Sequence, residues 1–129
     1  MIRRNKYNAQ GCRHNGRWYH SRAERGYAEL LDLFIKTGSV KSWRPQVSVN
    51  LPGGIKWKVD FEVTDSCGNT YMVEVKGMAT PEYKLKLELY RAKQDEMLPL
   101  FVVRKYGEGK YRIIDEVGTY GLSLPEGGV

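Results

Sequence analysis

A chain of 129 residues is long enough for one compact domain with a real core and too short for two. Hydrophobic residues at 41% and charged residues at 28% exclude a disordered or fibrous chain, and the longest apolar run, Leu98–Val103, is far too short to span a bilayer. With 21 Lys+Arg against 15 Asp+Glu, the net charge of +6 points to an anionic partner, nucleic acid first.

The basic excess is concentrated at the start. Arg3, Arg4, Lys6, Arg13, Arg17, Arg22 and Arg25 precede or open the first helix, and Glu24 is the only acid among them. Residues 1–17 lack periodicity and read as an irregular basic arm, of the kind that tracks phosphates. The plainer alternative is a solubilising tail. Met1-Ile2-Arg3-Arg4 leads into polar residues rather than an apolar segment, so no signal peptide is expected. Cys12 and Cys67 show no paired-ligand spacing, and no second pair joins Cys12 and His14 to complete a zinc site. Both cysteines read as free thiols, which predicts a soluble protein of the cytoplasm.

Trp18-Tyr19-His20 reads as a brief extended lead into the first helix. Ser21-Arg22-Ala23-Glu24 fits a capping box, and Ala23, Tyr27, Leu30, Leu31, Phe34 and Ile35 recur at helical spacing up to a C-cap at Gly38. Glu24 has two competing roles. As the third residue of the box it can return a hydrogen bond to the cap. Yet Tyr27, Ala28 and Leu31 follow it on the buried face, so its carboxylate can equally be aimed at the sheet as a metal-site acid.

A strand is expected within Val40–Leu51, with Val47, Val49 and Leu51 alternating against Gln46, Ser48 and Asn50. Gln46 is a weak candidate for contact with a phosphate or the site. Pro52-Gly53-Gly54 then turns into a central hairpin. From Ile55 to Val63 the residues alternate, with Ile55, Trp57, Val59, Phe61 and Val63 on one face and Lys56, Lys58, Asp60 and Glu62 on the other. Asp65-Ser66-Cys67-Gly68-Asn69 supplies turn chemistry. The returning strand sets Tyr71, Val73 and Val75 against Met72, Glu74 and Lys76. Hairpin pairing would lay Asp60 beside Glu74 with Lys76 one pleat further along.

Two bare carboxylates about 4 Å apart repel by roughly 4 kcal/mol at an effective dielectric near 20. A divalent cation turns that repulsion into coordination, and a neighbouring lysine can orient water or neutralise charge on a phosphate. The alternative is a solvated strand face with cross-strand ion pairs.

After Lys76-Gly77, Thr80-Pro81-Glu82 supplies an N-cap, a proline at the first helical position and an early acid, opening a second helix over about Pro81–Glu96. Tyr83, Leu87 and Tyr90 form its apolar row, which Leu85, Leu89 and Ala92 widen. Lys84, Lys86, Arg91 and Lys93 supply positive charge for DNA phosphates or for a solvated flank. Leu98–Lys105 and Lys110–Ile114 read as strands either side of Gly107-Glu108-Gly109, and a Gly-rich tail over about 118–129 trails along the surface. No repeat, linker or second domain interrupts the chain.

The order helix, three strands, helix, strand, with acids at Glu24, Asp60 and Glu74 and an amine at Lys76, resembles the PD-(D/E)XK nuclease superfamily. Val59 stands where the motif name has proline. Lys6-Tyr7-Asn8-Ala9, Ser21-Arg22-Ala23-Glu24, Val59-Asp60-Phe61, Val73-Glu74-Val75-Lys76-Gly77 and Thr80-Pro81-Glu82-Tyr83-Lys84-Leu85-Lys86 together resemble, over residues 6–104, a family of small phage proteins catalogued as a domain of unknown function and regarded as PD-(D/E)XK endonucleases. The spacing of the four site residues is also similar to that of phage endonuclease I and the archaeal Holliday junction resolvases. The resemblance implies an α/β, restriction-endonuclease-like core (αβββαβ) whose mixed central sheet is flanked by helices. It further implies that Asp60, Glu74, the Val75 carbonyl and Glu24 hold Mg²⁺ or Mn²⁺, and that Lys76 positions the water and stabilises the phosphorane. Arg3, Arg4, Lys6, Arg22, Lys84 and Lys86 are the expected DNA contacts.

The expected activity is therefore metal-dependent endodeoxyribonuclease action on branched DNA or Holliday junctions. Paired junction cuts would require a homodimer, and no membrane is involved. A nickase, a restriction-like or single-strand nuclease of the same fold, and a DNA-binding module that does not cut are the alternatives.

Overall fold

A computed structural model describes residues 11–14, 16–19 and 21–125. It is a mixed α/β domain. A small hairpin, β1 (Cys12–His14) with β2 (Arg17–Tyr19), leads into α1 (Arg22–Thr37). Three strands follow, β3 (Val40–Leu51), β4 (Ile55–Asp65) and β5 (Thr70–Val75). Then come α2 (Pro81–Ala92), β6 (Leu100–Gly107) and β7 (Lys110–Val117). Strands β3 to β7 form one five-stranded sheet in sequence order, antiparallel except for the parallel β5–β6 pair that α2 connects.

Both helices begin and end where their local chemistry dictates. The Ser21 hydroxyl accepts from the Glu24 N–H at 3.1 Å, and Gly38, in the left-handed region at φ 86°, closes α1 with its N–H on the Ile35 carbonyl. The Thr80 hydroxyl accepts from the Tyr83 N–H, and Pro81 opens α2. The second helix ends at Ala92 and gives way to a 3-10 turn over Gln94–Glu96, four residues short of the helical end expected from sequence. Lys93, at φ −117°, has left the helical region, so the backbone tightens there.

The helices cover opposite faces. Tyr27, Ala28, Leu31 and Phe34 of α1 pack on Phe61, Val63, Tyr71, Val73, Phe101 and Val103. Tyr83, Leu87 and Tyr90 of α2 pack on Trp57, Val59, Met72, Leu100 and Val102. Ile35 and Leu85, expected on the apolar rows, are exposed because neither helix is wrapped far enough by the sheet to reach them.

Two further departures concern the ends. The segment expected to be irregular carries the β1–β2 hairpin, which His14 pins to α1 by a 2.7 Å bond to Asp32; the Trp43 indole N–H donates to the other oxygen of that carboxylate. Strand β7 runs on to Val117, beyond the Ile114 expected, because its last residues pair back to Leu100 and Val117 itself is buried. Tyr111 of β7 reaches across to α1. Its hydroxyl donates to the Ala23 carbonyl at 2.7 Å, its ring stands edge-on to Tyr27, and a Cβ at Gly26 would meet that hydroxyl at 2.6 Å.

The single-face alternation expected along Ile55–Val63 holds only in halves. Trp57 and Val59 enter the α2 core, whereas Phe61 and Val63 enter the α1 core. In β3 the same change falls between Trp43, on the α1 side, and Val47 and Val49, on the α2 side. Residues two apart in an unbroken strand share a face, so the paired strands turn over here. Gln46, at φ 53°, marks the turning point, and the register on either side of it, Pro45 with Phe61 and Val47 with Val59, is unshifted.

Candidate active site

The site forms where β4 and β5 part. Their ladder covers Phe61–Val73 to Thr64–Thr70 and then stops, leaving Ile55–Asp60 of β4 beyond the reach of β5. One step further in that register, Asp60 would face Glu74, and at this point side chains replace the ladder. The Val75 N–H donates to the Asp60 Oδ2 at 2.8 Å, and the Asp60 N–H donates to the Glu74 Oε1 at 3.1 Å. Each strand thus satisfies its neighbour's orphaned amide with a carboxylate, which fixes both acids at the fork.

Glu24 joins them from the first turn of α1. Its Oε2 accepts from the Gln46 Nε2 at 3.0 Å, and the same amide reaches the Asp60 Oδ1 at 3.3 Å. The carboxylate is thus turned to the sheet, the second of the two roles open to it from sequence. Lys76 completes the group. Its ammonium lies 3.4 Å from the Glu74 Oε2 and 5.1 Å from the centre of the Tyr83 ring.

Glu24, Asp60 and Glu74 are 5%, 8% and 4% exposed, and they are the buried polar residues of the described chain. Burial, reinforced by the Asp60 charge, pushes the Glu24 carboxyl up to about 8. Burial and then Asp60 likewise hold Glu74 well above the usual glutamate value. Asp60 is raised by burial and relieved mainly by the Val75 N–H. Burial is thus the first cause of the rise at all three carboxyls, and among the described residues the Lys76 ammonium relieves each of them only in part. Such a set of hard oxygen donors fits a divalent cation of the Mg²⁺ or Mn²⁺ type. Among the described residues, however, no three acids, histidines or cysteines stand close enough to grasp one ion as they are. The contacts run in pairs: Glu24 and Asp60 share the Gln46 amide and also meet side chain to side chain, and Asp60 meets Glu74 both through the backbone and side chain to side chain.

Of the expected DNA contacts, Arg22 and Lys84 are exposed, and Lys86 is half-buried in an ion pair with Glu82 at 3.0 Å. Arg3, Arg4 and Lys6 lie outside the described residues. Two participants were not legible as such. Tyr83 supplies a ring beneath the Lys76 ammonium, and Asp115 accepts the Tyr83 hydroxyl at 2.6 Å, which fixes that ring. The alternation of α2 marks Tyr83 as core, and nothing local to Asp115 announces a partner 32 residues away. Cys67 is an exposed free thiol in the β4–β5 turn.

Among the described residues, no helix is long and apolar enough to cross a membrane. No curated protein and no solved structure matches the chain significantly. Residues 4–112 match the family described as a protein of unknown function, DUF1064. That span takes in the helix that carries Glu24, the forked strands that carry Asp60, Glu74 and Lys76, and most of the sheet, and the chain belongs to this family.

Proposed function

We propose that this chain is a metal-dependent endodeoxyribonuclease of the PD-(D/E)XK type. One observation carries the reading: three nearly buried carboxylates, Glu24, Asp60 and Glu74, gather at a strand fork with the Lys76 ammonium beside them. A purely structural cluster of this kind is costly, because burying carboxylates side by side disfavours their charged forms, and among the described residues Lys76 is the cation paired with one of them. A divalent ion held by Asp60, Glu74, the Val75 carbonyl and Glu24 would supply that partner, lower the pKa of a bound water and neutralise charge on the phosphate.

The protein's own groups would do the rest. The Lys76 ammonium, propped on the Tyr83 ring, would orient the attacking water and stabilise charge developing on the scissile phosphate. The net charge of +6, with Arg22, Lys84 and Lys86 and the arm residues Arg3, Arg4 and Lys6, supports a DNA backbone as the anion engaged. Within this reading the substrate is branched DNA cut by a homodimer, in the cytoplasm of a bacterium or of a phage's host cell.

The test is cleavage of a synthetic four-way junction, a linear duplex and a single strand, each with Mg²⁺, Mn²⁺ or EDTA. Metal-dependent cutting with preference for the junction is the expected result. Cutting of the other substrates alone would keep the chemistry and move the assignment to a nickase, restriction-like or single-strand enzyme. A second reading, a DNA-binding module that does not cut, is favoured by the Gln46 amide lying between Glu24 and Asp60 and by the pairwise spacing of the acids. Tight DNA binding with no cleavage under any metal would establish it.

A further inference from the structure

Gln46 is the least expected residue of the site. A glutamine in a left-handed conformation inside a strand is strained, and such strain persists where the surroundings impose it for a purpose. Strand pairing does not impose it here, since the register runs unshifted through this position. The gain lies at the end of the side chain. One amide nitrogen carries two N–H groups, and it donates to carboxylates from two separate elements, Glu24 of α1 at 3.0 Å and Asp60 of β4 at 3.3 Å.

We propose that Gln46 is a reversible clasp and cation ligand: its amide nitrogen holds Glu24 and Asp60 together when no ion is present, and a half-turn of the amide offers its carbonyl oxygen to an entering divalent cation. The inference rests on the metal-dependent reading above. A carboxamide suits this double duty because its oxygen and nitrogen have nearly the same size and sit on the same carbon. The half-turn therefore exchanges a donor for an acceptor without a change of volume. Neutral amide oxygens are ordinary ligands of hard cations. Donating to both carboxyls from one nitrogen draws Glu24 and Asp60 toward the same point, where an ion can replace the amide protons. A glutamine adds no charge, so it completes the coordination without deepening the excess of carboxylate.

Mn²⁺ binding, followed by calorimetry and by the loss of the free-ion paramagnetic resonance signal, separates this proposal from the reading beneath it. Two variants are needed. Gln46→Gly removes the amide and relieves the left-handed backbone; Gln46→Glu keeps an oxygen ligand and forfeits the donor. The expected result is Mn²⁺ affinity at least tenfold weaker in Gln46→Gly, with its circular dichroism spectrum unchanged. Gln46→Glu should bind Mn²⁺ at least as tightly as the parent and melt several degrees lower in EDTA, with Mn²⁺ closing that gap. Parent-like Mn²⁺ affinity in a folded Gln46→Gly would reduce Gln46 to a brace of the hairpin and overturn the proposal while leaving the metal-dependent reading intact. Absence of Mn²⁺ binding by the parent protein would remove that reading and the clasp with it. If Gln46→Gly does not fold, Gln46→Glu decides alone: weakened Mn²⁺ affinity in that variant overturns the proposal.

Discussion

Replacing Glu24 with glutamine should stabilise the metal-free protein at neutral pH and do little at pH 5. The Glu24 carboxyl is raised from 4.5 to about 8, chiefly by burial and then by Asp60, so the folded chain retains a proton that the unfolded chain has released. Stability from this group is complete below the unfolded value and is lost as the pH rises toward the folded one. Neutral pH lies about 2.5 pH units above the unfolded value, and each unit is worth about 1.4 kcal/mol, so Glu24 costs about 3 kcal/mol at pH 7 and under about 1 kcal/mol at pH 5. The residue is 5% exposed, which leaves little solvent screening to reduce that figure. The carboxamide introduced by Glu24→Gln would still accept a hydrogen bond from Gln46, so the substitution removes the titration and keeps that bond. For a chain of this size about 3 kcal/mol corresponds to roughly 10 °C in Tm. Thermal melts of both proteins in EDTA at pH 5 and pH 7 provide the assay. A variant that melts no higher than the parent at pH 7, or gains equally at both pH values, would refute the electrostatic account of the fork.

Lys76→Ala and Asp60→Asn should each abolish cleavage while leaving DNA affinity, measured by fluorescence anisotropy, within a few-fold of the parent; normal cutting by either would remove that residue from the site. Tyr83→Leu should lower kcat by about twofold to thirtyfold with little change in DNA affinity, since a cation–π contact contributes roughly 0.5–2 kcal/mol, whereas Tyr83→Phe, which keeps the ring, should retain most of the rate. Equal losses in both would assign the effect to the Asp115 hydrogen bond instead. Neutralising Arg3, Arg4 and Lys6 should weaken DNA binding and reduce the slope of log affinity against log salt by about 1 for each phosphate no longer engaged; an unchanged slope would take the arm out of the interface.

What the sequence made legible is what short-range physics controls. The Ser21 and Thr80 caps, the Gly38 terminus and the facing of Asp60 and Glu74 follow from residues a few positions apart or from one hairpin turn. Three-residue strands such as Cys12–His14 and Arg17–Tyr19 are too short to display a period, so the first hairpin was hidden. The left-handed turn at Gln46 was hidden for another reason. Its gain is made with Glu24, 22 residues earlier, and Asp60, 14 residues later, and no local pattern encodes partners at such distances. The same holds for the division of Trp57 and Val59 from Phe61 and Val63, which keep a strict period in the sequence while entering different cores.

The bond from the Tyr111 hydroxyl to the Ala23 carbonyl joins two distant parts of the sequence. Ala23 precedes Glu24, and the hydroxyl that anchors this first helical turn from outside stands 88 residues later in the chain. Gly26 keeps the docking place open, since any side chain there would collide with the incoming hydroxyl unless it shifted. The turn that bears Glu24 is thus tied to the last hairpin of the sheet as well as to its own cap, so loosening either one loosens an acid of the centre.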